Sequence, residues 1–91
     1  MTYFLDFTNK AKKDLAELKR SEIKAFIKAV KLIDELQKHP TTGTGHPEQL
    51  KGNKSGQWSR RITSRHRLVY IIDDNTIKVL VVSAAKHYDD K

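Results

Sequence analysis

Residues 56–70 read GQWSRRITSRHRLVY, and their reading decides the fold. Trp, Ile, Leu, Val and Tyr recur here in short alternating runs, a period that suits half-buried strands rather than a helix. Arg60, Arg61, Arg65, His66 and Arg67 are set among them, although arginine is costly to bury without a partner. Alternation puts Arg67, Val69 and Ile71 on one face and Leu68, Tyr70 and Ile72 on the other. Trp58, Ile62, Leu68, Val69 and Tyr70 read as packing residues. Arg60, opposite in parity to Arg61, reads as a solvent-facing or partner-facing charge.

Two strands are expected here, about Gln57–Thr63 and Arg67–Ile72, and a third at about Ile77–Ser83 follows across DDNT (73–76) as a hairpin. The length of that turn sets the register. An odd number of residues after Asp73 places Arg67, Val81, Ser83, Ala85 and His87 on one face, and an even number separates them. DDNT permits either. The odd loop is the expectation, because it leaves the small Ser83 and Ala85 between two polar groups, where a ligand needs room.

Toward the N-terminus, TTGTGHPEQLKGNKSG (41–56) holds four glycines and a proline without periodicity, a connection of unusual length. Before it, Ile23, Phe26, Ile27, Val30, Ile33 and Leu36 keep the spacing of one helix face, with Ser21 as the expected N-cap. Pro40 sets its limit at His39. A shorter amphipathic helix carries Ala11, Leu15 and Leu18, capped by Thr8, and Tyr3–Phe7 suggests a first strand. The order is β-α-α-β-β-β. The economical architecture is α+β, a helical hairpin laid on one face of an antiparallel-rich twisted sheet, forming one domain over residues 1–91.

The chain's 91 residues carry 18 Lys and Arg against 11 Asp and Glu, a net charge of +7, the footprint of a protein that meets polyanions. The surplus is uneven. Between residues 43 and 72, six basic side chains (Lys51, Lys54, Arg60, Arg61, Arg65, Arg67) face Glu48 alone. Zero cysteines exclude disulfides, zinc–thiolate sites and cysteine nucleophiles, and fit a reducing compartment. With no basic leader and no apolar run of membrane-spanning length, a cytoplasmic protein without membrane contact is expected.

The ionisable groups that stand apart from surface charge are Glu48, Arg61, Arg67 and His87, with Lys51 and Tyr88 beside them. Each also has a plainer reading: Glu48 as a loop carboxylate in an ion pair, His87 as part of a frayed chain end, Tyr88 as cover over a sheet edge. Together they suit cleavage of RNA through its own 2′-hydroxyl. A base removes that proton, guanidiniums stabilise charge on the phosphorane, and an acid protonates the departing 5′-oxygen. Arginine suits the middle task, since its planar fork binds two phosphate oxygens and stays charged. No metal or other cofactor is needed, and the scattered histidines lack metal-ligand spacing.

The blocks HPEQLKGNKSGQWSRRITSRHRLVY and SAAKHYDD closely resemble the YoeB-type toxins of bacterial type II toxin–antitoxin systems, within the RelE superfamily. The resemblance implies a RelE-like, microbial-RNase-like fold and an mRNA interferase, a ribosome-dependent endoribonuclease that cuts mRNA on the 70S ribosome. It matches Glu48 to the general base, Arg67 to the phosphate-stabilising arginine and His87 to the general acid. Tyr88 matches the tyrosine that helps place the RNA, and Lys51 and Arg61 match the flanking basic residues. It also implies a YefM-like antitoxin, a homodimer, and contact with operator DNA only through the antitoxin complex. Two other readings use the same basic fold: a ParE-type toxin acting on gyrase, and a non-catalytic module acting with its antitoxin on DNA. Neither needs an acid–base pair.

Overall fold

The computed structural model describes residues 2–50 and 56–85. The chain runs β1 (Phe4–Phe7), α1 (Asn9–Ser21), α2 (Ile23–Leu36), β2 (Glu48–Gln49), β3 (Gln57–Arg61), β4 (Arg67–Asp73) and β5 (Lys78–Ser83). Two helices pack on one five-stranded sheet of order β1-β5-β4-β3-β2, an α+β architecture. β1 pairs with β5 in parallel and the other neighbours are antiparallel, so the sheet is mixed and antiparallel-rich, with one parallel pair. Chain reversals explain this. Three of them separate β2 from β5, so those strands run oppositely. A paired-helix connection returns the chain to the end of the sheet it left, which makes β1 opposite to β2 and parallel to β5.

Thr8 caps α1, its hydroxyl oxygen accepting from the Ala11 N–H at 3.0 Å while its hydroxyl donates to the Val82 carbonyl at 2.6 Å. One side chain thus starts a helix and ties it to β5. Ser21 is not the cap of α2. It ends α1, donating to the Glu17 carbonyl at 2.8 Å, the back-bond to the preceding turn that a serine inside a helix makes. Glu22 alone breaks the two helices, at φ −144° and ψ 73°. α2 stops at Leu36, before His39; the Lys38 N–H reaches back three residues to the Glu35 carbonyl at 3.1 Å, sharing it with the His39 N–H at 2.7 Å.

α2 buries Ala25, Ala29, Leu32, Ile33 and Leu36, whereas Ile23, Ile27 and Val30 are 52, 60 and 47% exposed. The apolar arc of this helix is wider than a single contact can cover. Packing selects the side carrying two alanines, which let the helix come close to its neighbours. The core joins that side to Ala11 and Leu18 of α1 and to Leu68, Tyr70, Val79 and Val81 of the sheet.

β3 ends at Arg61 rather than Thr63, because the Ile62 and Thr63 N–H groups both donate to the His66 carbonyl, at 2.9 and 3.2 Å. The Thr63 hydroxyl oxygen accepts from the Arg65 and His66 N–H groups at 3.1 Å each. These bonds close a tight reversal before the ladder can extend.

The turn after β4 corrects the expected register. Asp73 pairs with Lys78, so four residues intervene and the loop is even. Pairing proceeds through Ile72–Val79, Ile71–Leu80 and Tyr70–Val81, then slips by one to Val69–Ser83. The extra residue is a β-bulge, which reverses the facing of everything beyond it. Val81 therefore lies with Tyr70 in the core and does not share the face of Arg67, while Ser83 does. The Arg67 N–H donates to the Ala85 carbonyl at 3.1 Å, continuing the shifted register.

Arg60 is likewise corrected. It faces neither solvent nor partner but is fully buried on the helix side of the sheet. Nη1 donates to Glu35 Oε1 at 2.8 Å and to the Thr44 carbonyl at 3.3 Å. Nη2 donates to the His39 carbonyl and, at 2.6 Å, to that of Thr42. Nε donates to the Tyr70 hydroxyl at 3.1 Å, which itself donates to the Pro40 carbonyl at 2.7 Å. A guanidinium in the core is tolerated because its donors are met by one carboxylate and several carbonyls.

Candidate active site

The face of the sheet away from this core carries the candidate chemistry. Alternation along β3 brings Gln57, Ser59 and Arg61 to that face, and along β4 Arg67 and Val69. Arg61 pairs with Arg67, Ser59 with Val69, and Glu48 with Ser59 on the other side. β2, which was not expected as a strand, exists because Glu48 and Gln49 meet the free edge of β3. Its pairing continues as the Leu50 N–H donates to the Gln57 carbonyl at 2.8 Å.

Glu48 Oε1 lies 3.8 Å from Arg67 Nη1. That is close enough for charge attraction and too long for a hydrogen bond. Glu48 is 66% exposed and Arg67 27%, so the pair contributes little stability. It leaves a carboxylate open to a ligand beside a cation held in place. Arg67 Nη1 also reaches Ser59 Oγ at 3.5 Å. A cavity of about 380 Å³ opens beside Arg67, lined among others by Lys10, Gln57, Ser59, Arg67, Val69 and Ser83 but not by Glu48. A larger one, about 720 Å³, lies near Tyr3, His39 and Trp58 and includes neither Glu48 nor Arg67.

The structure thus brings Glu48 and Arg67 together, as two of the sequence candidates. Arg61 is on the adjoining strand and lines a neighbouring cavity with Lys28 and His46. Lys51, His87 and Tyr88 lie outside the described residues. What is described is that the chain at Ala85, two positions before His87, is bonded to Arg67 by backbone.

Three lining residues were missed. Ser59 and Gln57 share the parity of Arg61 and were legible by counting back along the strand. Lys10 was not, since only the packing of α1 beside β5 brings it to the cavity. Its Nζ donates to Asp14 Oδ2 at 2.9 Å, and the same oxygen accepts from the Ala84 N–H at 3.0 Å. The carboxylate therefore joins a site cation to the strand end that leads toward His87.

Two ionisable groups behind the site are shifted. The Thr44 N–H and hydroxyl, followed by Arg60, hold the Glu35 carboxyl below its ordinary range. Burial pushes the Tyr70 phenol up, opposed by Arg60. Among the described residues, no group of three or more His, Asp or Glu is placed to hold a metal ion.

Residues 7–88 match the family described as YoeB-like toxin of bacterial type II toxin–antitoxin system. The chain is 38% identical to the toxin YoeB of Streptomyces coelicolor over 84 residues, covering 92% of this chain and 98% of that one. The YoeB dimer of Staphylococcus aureus superposes with a TM-score of 0.82 at 31% identity, over 97% of this chain and 100% of that one. The chain in the YoeB–YefM complex from the same organism gives 0.80 at 32% identity, with the same coverage. A fold, a basic face and a sequence match over nearly its whole length place this chain among the YoeB-like toxins of bacterial type II toxin–antitoxin systems.

Proposed function

We propose that this toxin is a ribosome-dependent mRNA endoribonuclease that cleaves through the RNA 2′-hydroxyl without a metal. The observation that carries the reading is the Glu48 carboxylate 3.8 Å from the Arg67 guanidinium, beside a cavity that Ser59 and Ser83 help to line. Glu48 takes the 2′-hydroxyl proton, and the 2′-oxygen attacks the adjacent phosphorus. Arg67, supported by Arg61 and Lys51, holds the phosphorane oxygens as negative charge builds. His87 gives a proton to the departing 5′-oxygen, and Tyr88 helps place the RNA. The products are a 2′,3′-cyclic phosphate and a 5′-hydroxyl. The guanidiniums supply the positive charge that a metal would otherwise bring.

The partners of the reading are the 70S ribosome with its mRNA, a YefM-like antitoxin and a second copy of the chain. Cytoplasmic action is part of it; among the described residues no helix is long and apolar enough to cross a membrane. The test expresses wild type, Glu48→Ala and His87→Ala and maps mRNA ends on translating ribosomes. Cleavage by wild type, lowered by roughly 10²–10⁴ in either variant, is expected. Equal toxicity of all three without cleavage rejects the nuclease and favours action on another target, such as gyrase.

A further inference from the structure

Glu48 stands at the end of an irregular connection that begins after Leu36. Among the described residues its carboxylate makes no hydrogen bond, and Arg67 is 3.8 Å away. Its position therefore depends on what holds its backbone. That backbone is held from the opposite face of the sheet. Arg60 gathers the carbonyls of His39, Thr42 and Thr44, and Tyr70, bonded to Arg60, takes that of Pro40. Glu35 returns from α2 to accept the Thr44 N–H at 2.9 Å and the Thr44 hydroxyl at 2.8 Å. The next residue, Gly45, passes the connection to β3, its carbonyl accepting the Arg61 N–H at 2.7 Å. Three residues on, Glu48 sits opposite Ser59, the neighbour of Arg60 in sequence.

The two glycines show how closely the loop is pressed to this clamp. A Cβ at Gly43 (φ +114°) would lie 2.5 Å from Glu35 Oε1, and one at Gly45 (φ +86°) 3.0 Å from the Arg61 carbonyl oxygen. Stability alone does not call for a charged clamp, because apolar residues of similar volume commonly serve a core as well or better. An apolar side chain could not satisfy the carbonyls of an irregular segment that has no strand partner.

We infer that Arg60, with Glu35 as its counter-ion, is a positioning residue for Glu48: from one face of β3 it fixes the loop that sets the carboxylate on the other. The inference rests on the nuclease reading for the role of Glu48. A general base must come within hydrogen-bond reach of its proton, and a displacement of about 1 Å can lower the rate on the order of 100-fold.

The test uses Glu35→Gln and Thr44→Val, which loosen the clamp, rather than Arg60→Met, which removes it and endangers folding. On mRNA-programmed ribosomes each is expected to lower kcat about tenfold while KM changes by less than about twofold. In a Glu48→Gln background, Glu35→Gln should cause no further loss, because the group it positions is already gone. Amide exchange at Leu50 should accelerate about tenfold, with β4 and β5 unchanged. A loss that multiplies with that of Glu48→Gln overturns the positioning role, and unchanged Leu50 exchange overturns the anchoring. Failure of the wild-type chain to cleave overturns the nuclease reading instead, and the exchange measurement does not depend on it.

Discussion

Tyr70 shows how much one hydroxyl can carry when it is buried between a donor and an acceptor. It accepts from Arg60 Nε and donates to the Pro40 carbonyl, so Tyr70→Phe strands two polar groups in the core. Each stranded group costs about 1–3 kcal/mol. Urea unfolding at neutral pH should show Tyr70→Phe destabilised by roughly 2–6 kcal/mol with an unchanged slope. Glu35 predicts a pH effect. The Thr44 bonds, then Arg60, lower its folded-state pKa from the ordinary 4.5. Its contribution is therefore complete above that value and is lost as pH falls through the lower, folded one. In an acid titration, Glu35→Gln should be less stable than wild type at neutral pH, and the difference should shrink below about pH 4. None of this was legible at Arg60 itself. Alternation says which side of a strand a residue takes, but not whether that side is covered. The groups that make burial tolerable lie at distant sequence positions, and most are backbone carbonyls common to every residue.

α2 predicts a contrast between its two apolar sides. Ile27 lies in the exposed stripe and Ala29 is fully buried. Ile27→Lys should change stability by no more than about 0.5 kcal/mol, whereas Ala29→Leu should overpack the core and cost about 1–3 kcal/mol. Equal effects in thermal unfolding would contradict the observed facing. Periodicity identified the helix correctly but took its whole apolar arc as one contact. The strands divide in the same way. The parity of Arg67, Val69 and Ile71 against Leu68 and Tyr70 was legible, since alternation is local. The bulge at Val69/Tyr70 was not, and neither was a two-residue β2 made only by the edge it meets. The juxtaposition of Ser83 with Arg67 was anticipated from an odd loop, yet it arises from an even loop and a bulge. Glu48 and Arg67 were legible as chemical types, and their adjacency depends on that same unforeseen β2.

For the whole molecule, the net charge of +7 predicts how the chain meets partners. An acidic, YefM-like segment should associate rapidly at low ionic strength, because long-range attraction steers the encounter and salt screens it over about 8–10 Å near physiological strength. Raising salt from about 0.05 to 0.5 M should slow association at least tenfold in stopped flow while dissociation changes less. A salt-independent association rate would show that contacts other than charge govern the encounter.

The parallel pairing of β1 with β5 has a consequence in time. Thr8 and Val82, which meet where these strands join α1, are 74 positions apart. While the chain is being made, the helices and β1 emerge long before the strand that must lie beside them. Until residues 78–83 have been synthesised, β1 has no neighbour and one side of the helical layer has nothing to cover. A nascent copy thus cannot complete its sheet on the way out, and a truncated product lacking β5 has no route to the finished toxin.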